Sequence, residues 1–339
     1  MVRLELRRYH ESKKLEGGID MQWKKHWFAI LFTLALFGFT AYLLADTFLI
    51  ARAYTVVEQA PAASETVLQT IVEEDETVSL ITEAAAEPAE TPAAVVPETS
   101  ETTYRDENIS VELSTYRIYD TTVYVADVQL ASSDYLKTAF AESTYGRNVT
   151  DKTSSIADSV GAILAINGDY YGAQRAGYVI RNGVLYRSAS SGSEDLVIYR
   201  DGSFGVVSES EVTAEALLEA GAWNVLSFGP ALVQDGQIAV SVNDEVGKAM
   251  ASNPRTAIGV VDELHYVFVV ADGRTSESDG LSLYELAEVL QSLGAQTAYN
   301  LDGGGSSSMV FCGTLINNPT TNGKRTSERS VSDIVYIGY

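Results

Sequence analysis

The chain has 339 residues, 46% of them hydrophobic, and a formal net charge of −23. That length accommodates one or two domains with a sizeable core, and the charge argues against nucleic acid, whose phosphates are bound by lysine- and arginine-rich surfaces. The single cysteine, Cys312, excludes an intrachain disulfide, a CxxC redox pair and a thiolate zinc cluster; followed by Gly313, it reads as a small packed residue at a turn rather than a nucleophile.

Residues 1–26 are basic, with Arg3, Arg7, Arg8, Lys13, Lys14, Lys24 and Lys25 outnumbering the acids. From Trp27 to Ala45 no charge appears. That run approaches the roughly 20 apolar residues needed to cross a bilayer and predicts a transmembrane anchor over 27–50. The positive flank predicts a single-pass cell-membrane protein with a cytoplasmic tail (1–26) and an extracytoplasmic C-terminal domain. A cleaved signal peptide is the alternative; the long basic region and the lack of a clear small-x-small cleavage site favour an uncleaved anchor. Between Tyr54 and Thr103 no basic residue occurs, while Glu73, Glu74, Asp75 and Glu76 head a series of acids. Self-repulsion and the absence of aromatics predict a disordered acidic stalk over 51–104.

A globular domain is expected over 105–339. Alternating runs from Ile109 and from Thr122 predict strands separated by Asp120-Thr-Thr, and Asp201-Gly202 and Asp235-Gly236 predict hairpin turns. Helices are expected over 150–159, 211–220 and 282–293. In the last, Ser282 and Glu285 form a capping box, Gly294 supplies the stop, and Leu283, Leu286, Ala287, Leu290 and Leu293 share one face. The class is α+β: strand-dominated, curved mixed sheets with a few packed helices, preceded by one transmembrane helix and the stalk.

Four polar breaks follow apolar runs: Asn167-Gly-Asp-Tyr-Tyr-Gly172, Asn253-Pro-Arg-Thr256, Asp272-Gly-Arg274, and Leu301-Asp-Gly-Gly-Gly-Ser306. Polar residues at the mouths of buried strands build sites on rigid scaffolds. Asp302, Asp272 and Asp169 are candidate acids and bases, and Arg255 and Arg274 are permanent planar cations suited to phosphate or carboxylate. Gly303, Gly304 and Gly305 bring bare backbone close to a ligand, and with Ser306 they are a candidate anion nest. The domain has one histidine, His265, flanked by apolar residues, and no G-x-S-x-G elbow or Walker motif. No metal ligands are assigned; the donor set leaves only an oxygen-ligated Ca²⁺ open as a cofactor.

In this order, and with Phe228-Gly-Pro-Ala-Leu, Ile316-Asn-Asn-Pro and Glu328-Arg-Ser-Val-Ser-Asp, the motifs resemble the phosphodiester glycosidase family from about Tyr116 to Tyr339. The first motif carries Asp-Tyr-Tyr where many relatives have a glycine and a phenylalanine. The resemblance implies an extracytoplasmic hydrolase that cleaves the glycosyl C–O bond of a sugar-phosphate diester in envelope or exopolysaccharide glycans. Together the residues and the resemblance suggest that Arg255, Arg274 and the 303–306 backbone bind the phosphate as leaving group. One of Asp302, Asp272 and Asp169 would act as nucleophile or activate water. Asn167 and Asn318 would bind sugar hydroxyls, and Tyr170 or Tyr171 would stack on the ring. The alternatives are a non-catalytic glycan- or wall-polymer-binding module of the same fold, and a phosphodiesterase cutting P–O, which would usually call for bridging metals.

Overall fold

The computed structural model describes residues 26–54, 97–242 and 252–339, and divides the chain into two units at Arg52/Ala53. Nearly all of the expected basic tail, and the stalk over 55–96, lie outside the described residues. In the first unit helix α1 spans His26–Phe48, 23 residues of mean hydropathy 2.2, with none of its apolar window buried. At about 1.5 Å per residue it is long enough to cross a hydrocarbon layer of roughly 30 Å. A signal sequence has the same length and composition.

The second unit is built from antiparallel strands: β1 (Ile109–Ile118), β2 (Thr121–Leu130), β3 (Leu136–Phe140), β4 (Leu164–Asn167), β5 (Val179–Arg181), β6 (Val184–Arg187), β7 (Glu194–Tyr199), β8 (Phe204–Ser208), β9 (Ala222–Leu226), β10 (Ala231–Gln234), β11 (Arg255–Asp262), β12 (His265–Ala271), β13 (Thr297–Asn300), β14 (Met309–Phe311) and β15 (Asp333–Ile337). The largest sheet runs β10-β13-β11-β12-β2-β1, with Gln237–Ile238 beyond β10 and Thr103–Arg105 and Glu98–Thr99 beyond β1. Two strands of this sheet therefore begin ahead of residue 105, the first at Glu98. A second sheet runs β6-β5-β9-β7-β8, and a third runs β14-β4-β15-β3, with Thr314–Leu315 outside β14. The strand-dominated α+β class is as expected, but the pairings in all three sheets are antiparallel rather than mixed.

The period of two along each strand decides which residues meet. On β12, Tyr266, Phe268 and Val270 enter a central core shared by all three sheets, while Val267, Val269 and Ala271 point the other way. That second face is covered by helix α4 (Leu283–Ser292), which seats Leu283, Leu286, Ala287 and Leu290 there, all fully buried. Burying each leucine contributes about 2 kcal/mol. The capping box forms as the sequence predicts, and Gly294 ends the helix at φ +88°. Helices α2 (Thr153–Ser159) and α3 (Ala214–Glu219) cover the outer faces of the third and second sheets in the same way. Asp120 and Asp235 both turn with positive φ, as tight hairpins require. Cys312 and Gly313 also form a turn, between Phe311 and Thr314, but Cys312 is exposed there rather than packed.

Candidate active site

Register brings the polar breaks together. Arg255 opens β11 opposite Ala271, the last residue of β12, and Ala257 lies opposite Asn300, the last residue of β13. The chains that continue into Asp272 and Asp302 therefore leave the sheet at the edge where Arg255 enters. From the third sheet, Asn167 at the end of β4 donates through Nδ2 to the carbonyl of Asp302 at 2.6 Å. Its Oδ1 accepts from Thr256 Oγ1 (2.8 Å) and from the Ser308 N–H (3.2 Å). Asn167 is fully buried; it joins two sheets rather than facing a sugar.

Asp302 is buried, with its side chain 11% exposed. Its Oδ2 accepts from Ser306 Oγ at 2.6 Å and from Arg329 Nη2 at 2.9 Å. Burial pushes its carboxyl above the usual range, against the opposing pull of Arg329 and Ser306. Arg329 also donates through Nε to Ser306 Oγ at 2.9 Å, while its side chain remains 40% exposed. Its neighbour Glu328 accepts from the N–H and hydroxyl of Ser154 in the first turn of α2, which fixes the segment bearing Arg329.

Arg274 stands beside this pair. Its Nε and Nη2 donate to Asn253 Oδ1 (3.2 and 2.8 Å) and its Nη1 to the Thr321 carbonyl (2.6 Å). Burial first, and then the like charge of Arg329, lower its proton affinity. Arg329 is paired with Asp302, whereas Arg274 donates to an amide and a carbonyl, so among the described residues no carboxylate neutralises it. Gly304, at φ +62°, lies so close that a Cβ there would stand 3.0 Å from Arg274 Nη2. Within 303–306 the Gly304 N–H donates to the Pro254 carbonyl and the Ser306 N–H to Gly303 O, and the Ser307 N–H that follows donates to Gly304 O. Arg255 is 3% exposed and donates through Nε to the Leu281 carbonyl at 2.9 Å, so it is set into the wall.

Asp272 is held by Asn317 Nδ2 and the Asn318 N–H on Oδ1 (both 3.0 Å), and by Tyr124 Oη (3.1 Å) and Asn318 Nδ2 (3.3 Å) on Oδ2. Burial and Asp272 together push the Tyr124 phenol up to about 12. Asn317 Nδ2 also reaches Ser307 O at 2.9 Å, linking Asp272 to the Asp302 loop. Asp272 and Asn318 line an open cleft of about 400 Å³.

Asp169 lies elsewhere. It is fully buried; its Oδ1 accepts from the Tyr171 N–H, and its Oδ2 from the Ser227 N–H (2.8 Å) and Arg181 Nη2 (2.9 Å). Arg181 pairs equally with Asp333 at 2.8 Å, and burial beside Asp169 drives the Asp333 carboxyl up. A Cβ at Gly168 would meet Asp333 Oδ1 at 2.2 Å, so this triad packs directly under the loop that meets Asp302. Tyr171 is buried against it, whereas Tyr170 is 42% exposed. Among the described residues no group of three or more His, Cys, Asp or Glu is arranged to hold a metal ion. The oxygen donors around Asp272 hydrogen-bond to one another.

The sequence motifs contained Arg329, Asn253 and Asn317 but gave no reason to set them above their neighbours; Tyr124 and Arg181 sit in ordinary strand patterns. Nothing local marks Arg329, because the helix whose first turn Glu328 holds lies 174 residues away along the chain.

A family model described as phosphodiester glycosidase matches residues 160–338. Among curated proteins, the chain is 31% identical over 213 residues to the SPbeta prophage-derived uncharacterized protein YomE of Bacillus subtilis, covering 61% of this chain and 32% of that protein. It is 32% identical over 176 residues to the N-acetylglucosamine-1-phosphodiester alpha-N-acetylglucosaminidase of Mus musculus, covering 47% and 34%. The matched region thus spans about a third of each of these relatives, at 32% and 34%. Among solved structures, the catalytic domain of the zebrafish N-acetylglucosamine-1-phosphodiester alpha-N-acetylglucosaminidase, auto-inhibited by its pro-peptide, shares the fold. It gives a TM-score of 0.54 at 21% identity, over 72% of this chain and 89% of that one. A hypothetical protein from Synechocystis gives 0.52 at 17% identity, over 68% and 62%.

Proposed function

The chain belongs to the phosphodiester glycosidase family, and on that premise we propose that its second unit hydrolyses the anomeric C–O bond of a sugar-phosphate diester in an envelope or exopolysaccharide glycan. Membership makes it a glycosidase-type hydrolase; the substrate and the bond are our reading. The observation that carries it is a buried carboxylate, Asp302, bound to one arginine and flanked by a second that its neighbour repels.

In this mechanism the diester phosphate lies between Arg274 and Arg329, which take up the charge it gains as leaving group. Arg274 is the phosphate ligand the sequence anticipated, and Arg329 takes the part expected of Arg255. Asp302, made more basic by burial, abstracts a proton from water. The water oxygen bonds to the anomeric carbon, the C–O bond breaks, and its electron pair leaves on the phosphate oxygen. A phosphomonoester and a free sugar result, and the leaving phosphate needs little protonation. Asp272 orients hydroxyls at the mouth of the cleft. Asp169 holds the Asn167–Gly168 loop through Arg181 and does not meet substrate.

Helix α1 is proposed as a single-pass anchor that places the catalytic unit outside the cell membrane, in keeping with its basic flank.

Hydrolysis of a defined glycosyl phosphodiester in ¹⁸O-labelled water tests the reading. Label in the sugar supports C–O cleavage, label in the phosphate shows a P–O phosphodiesterase, and binding without turnover indicates a glycan-binding module.

A further inference from the structure

The cleft beside Asp272 has a wall that the hydrolytic step does not use. It is formed by the loop 320–326, whose shape is set from within. Thr320 Oγ1 donates to the Arg325 carbonyl (2.9 Å) and accepts from the Gly323 N–H (3.0 Å), and Asn322 Oδ1 accepts from the Lys324 N–H (3.1 Å). It is also set from the active site, since Arg274 Nη1 holds the Thr321 carbonyl. Gly323 packs so tightly on the Arg274 carbonyl that a Cβ would stand 1.9 Å from its oxygen, so only glycine fits. The arginine assigned to the substrate phosphate therefore fixes where the next residues, Lys324 and Arg325, stand.

Both line the cleft. Neither has an ion-pair partner among the described residues, in a chain whose acids outnumber its bases by 46 to 23. Across from them, Glu277 has its carboxylate on the Ser276 hydroxyl, and its carbonyl is held by Arg117. Hydroxyls of Thr275, Ser276 and Thr326 complete the lining. At about 400 Å³ the cleft is within the range of small-ligand sites, and Asp272 in its lining is tied through Asn317 to Ser307 in the Asp302 loop. Two adjacent cations, without an ion-pair partner among the described residues, in a hydroxyl-lined cleft match an anion carried on a polyhydroxylated linker.

We propose that this cleft is a second phosphate subsite on the leaving-group side, so that the preferred substrate is a polyol or glycan chain bearing phosphates in series. The inference rests on the hydrolase reading for which side of the substrate it serves, but its binding chemistry is separate. Calorimetry on the full chain in detergent, with fructose 6-phosphate and fructose 1,6-bisphosphate as probes, measures binding without turnover. The bisphosphate should bind at least about tenfold tighter, a gap of about 1.4 kcal/mol. The Lys324→Ala/Arg325→Ala variant should lose that preference, with each single substitution losing part of it. Equal affinities, or a preference that survives the double substitution, would overturn the subsite. Because no diester need be cleaved, failure of the hydrolase reading shows separately, as absence of turnover in labelled water.

Discussion

At the scale of single residues, the proposed chemistry turns on the balance between burial and Arg329 at Asp302. Asp302→Asn keeps the shape and the Ser306 contact but cannot accept a proton. Turnover should fall by about 10²- to 10⁴-fold while substrate affinity, read by calorimetry, stays within a few-fold. A variant with full turnover would move the role to Asp272. Arg329 lowers the proton affinity of Asp302, so Arg329→Gln should raise it. The acid limb of the kcat/KM profile then moves to higher pH, and Arg329→Lys should bring part of it back. An acid limb that stays put would mean that Arg329 is only a scaffold. Asp302 and Arg274 were visible in the sequence because each follows an apolar strand and precedes glycine or lies one residue after it. Asp169 has the same local signature, yet Arg181, from a strand with no polar motif, holds it in a fully buried ion pair. Which carboxylate meets a ligand depends on a partner far along the chain, and no local pattern carries that.

At the scale of elements, α4 was legible almost to the residue because its capping box, apolar stripe and terminal glycine agree with one another. Ser282→Ala should reduce stability by about 1 kcal/mol, seen as a lower Tm, with KM unchanged. A changed KM would mean the helix does more than cover the sheet. The loop 320–326 was not legible: its turn residues fit many loops, and its shape depends on Arg274. Gly323→Ala forces a methyl group toward the Arg274 carbonyl. It should impair activity far more than Tm, because the exposed loop can yield whereas Arg274, as the proposed phosphate ligand, cannot move without loss. Similar losses in both would show that this contact holds the fold instead. The three-sheet arrangement was likewise hidden, since antiparallel strands buried on both faces, such as β12, read as continuous apolar runs that do not reveal their neighbours.

At the scale of the whole molecule, pH and topology are the levers. Asp195 is fully buried, and burial first, opposed by Ser227 and reinforced by Glu209, pushes its carboxyl up to about 9. Folding therefore takes up a proton there: the stability it contributes is whole below pH about 4 and drains away as pH rises toward 9. Asp195→Asn removes that dependence, so it should raise Tm more at pH 8 than at pH 5; the reverse order would contradict a buried neutral acid. Protease added to intact wall-less cells should release the catalytic unit by cutting between residues 55 and 96, and resistance until lysis would place it inside. The position of β15 bears on how such a chain comes to be active at all. It lies between β3 and β4 in the third sheet, and the segment that leads into it brings Arg329 to Asp302. During synthesis at about 5–20 residues per second, β3 and β4 emerge long before their common neighbour, which is made near the end of this unit. The third sheet is therefore complete only once β15 stands between them, and Arg329 reaches Asp302 from the segment just ahead of that strand.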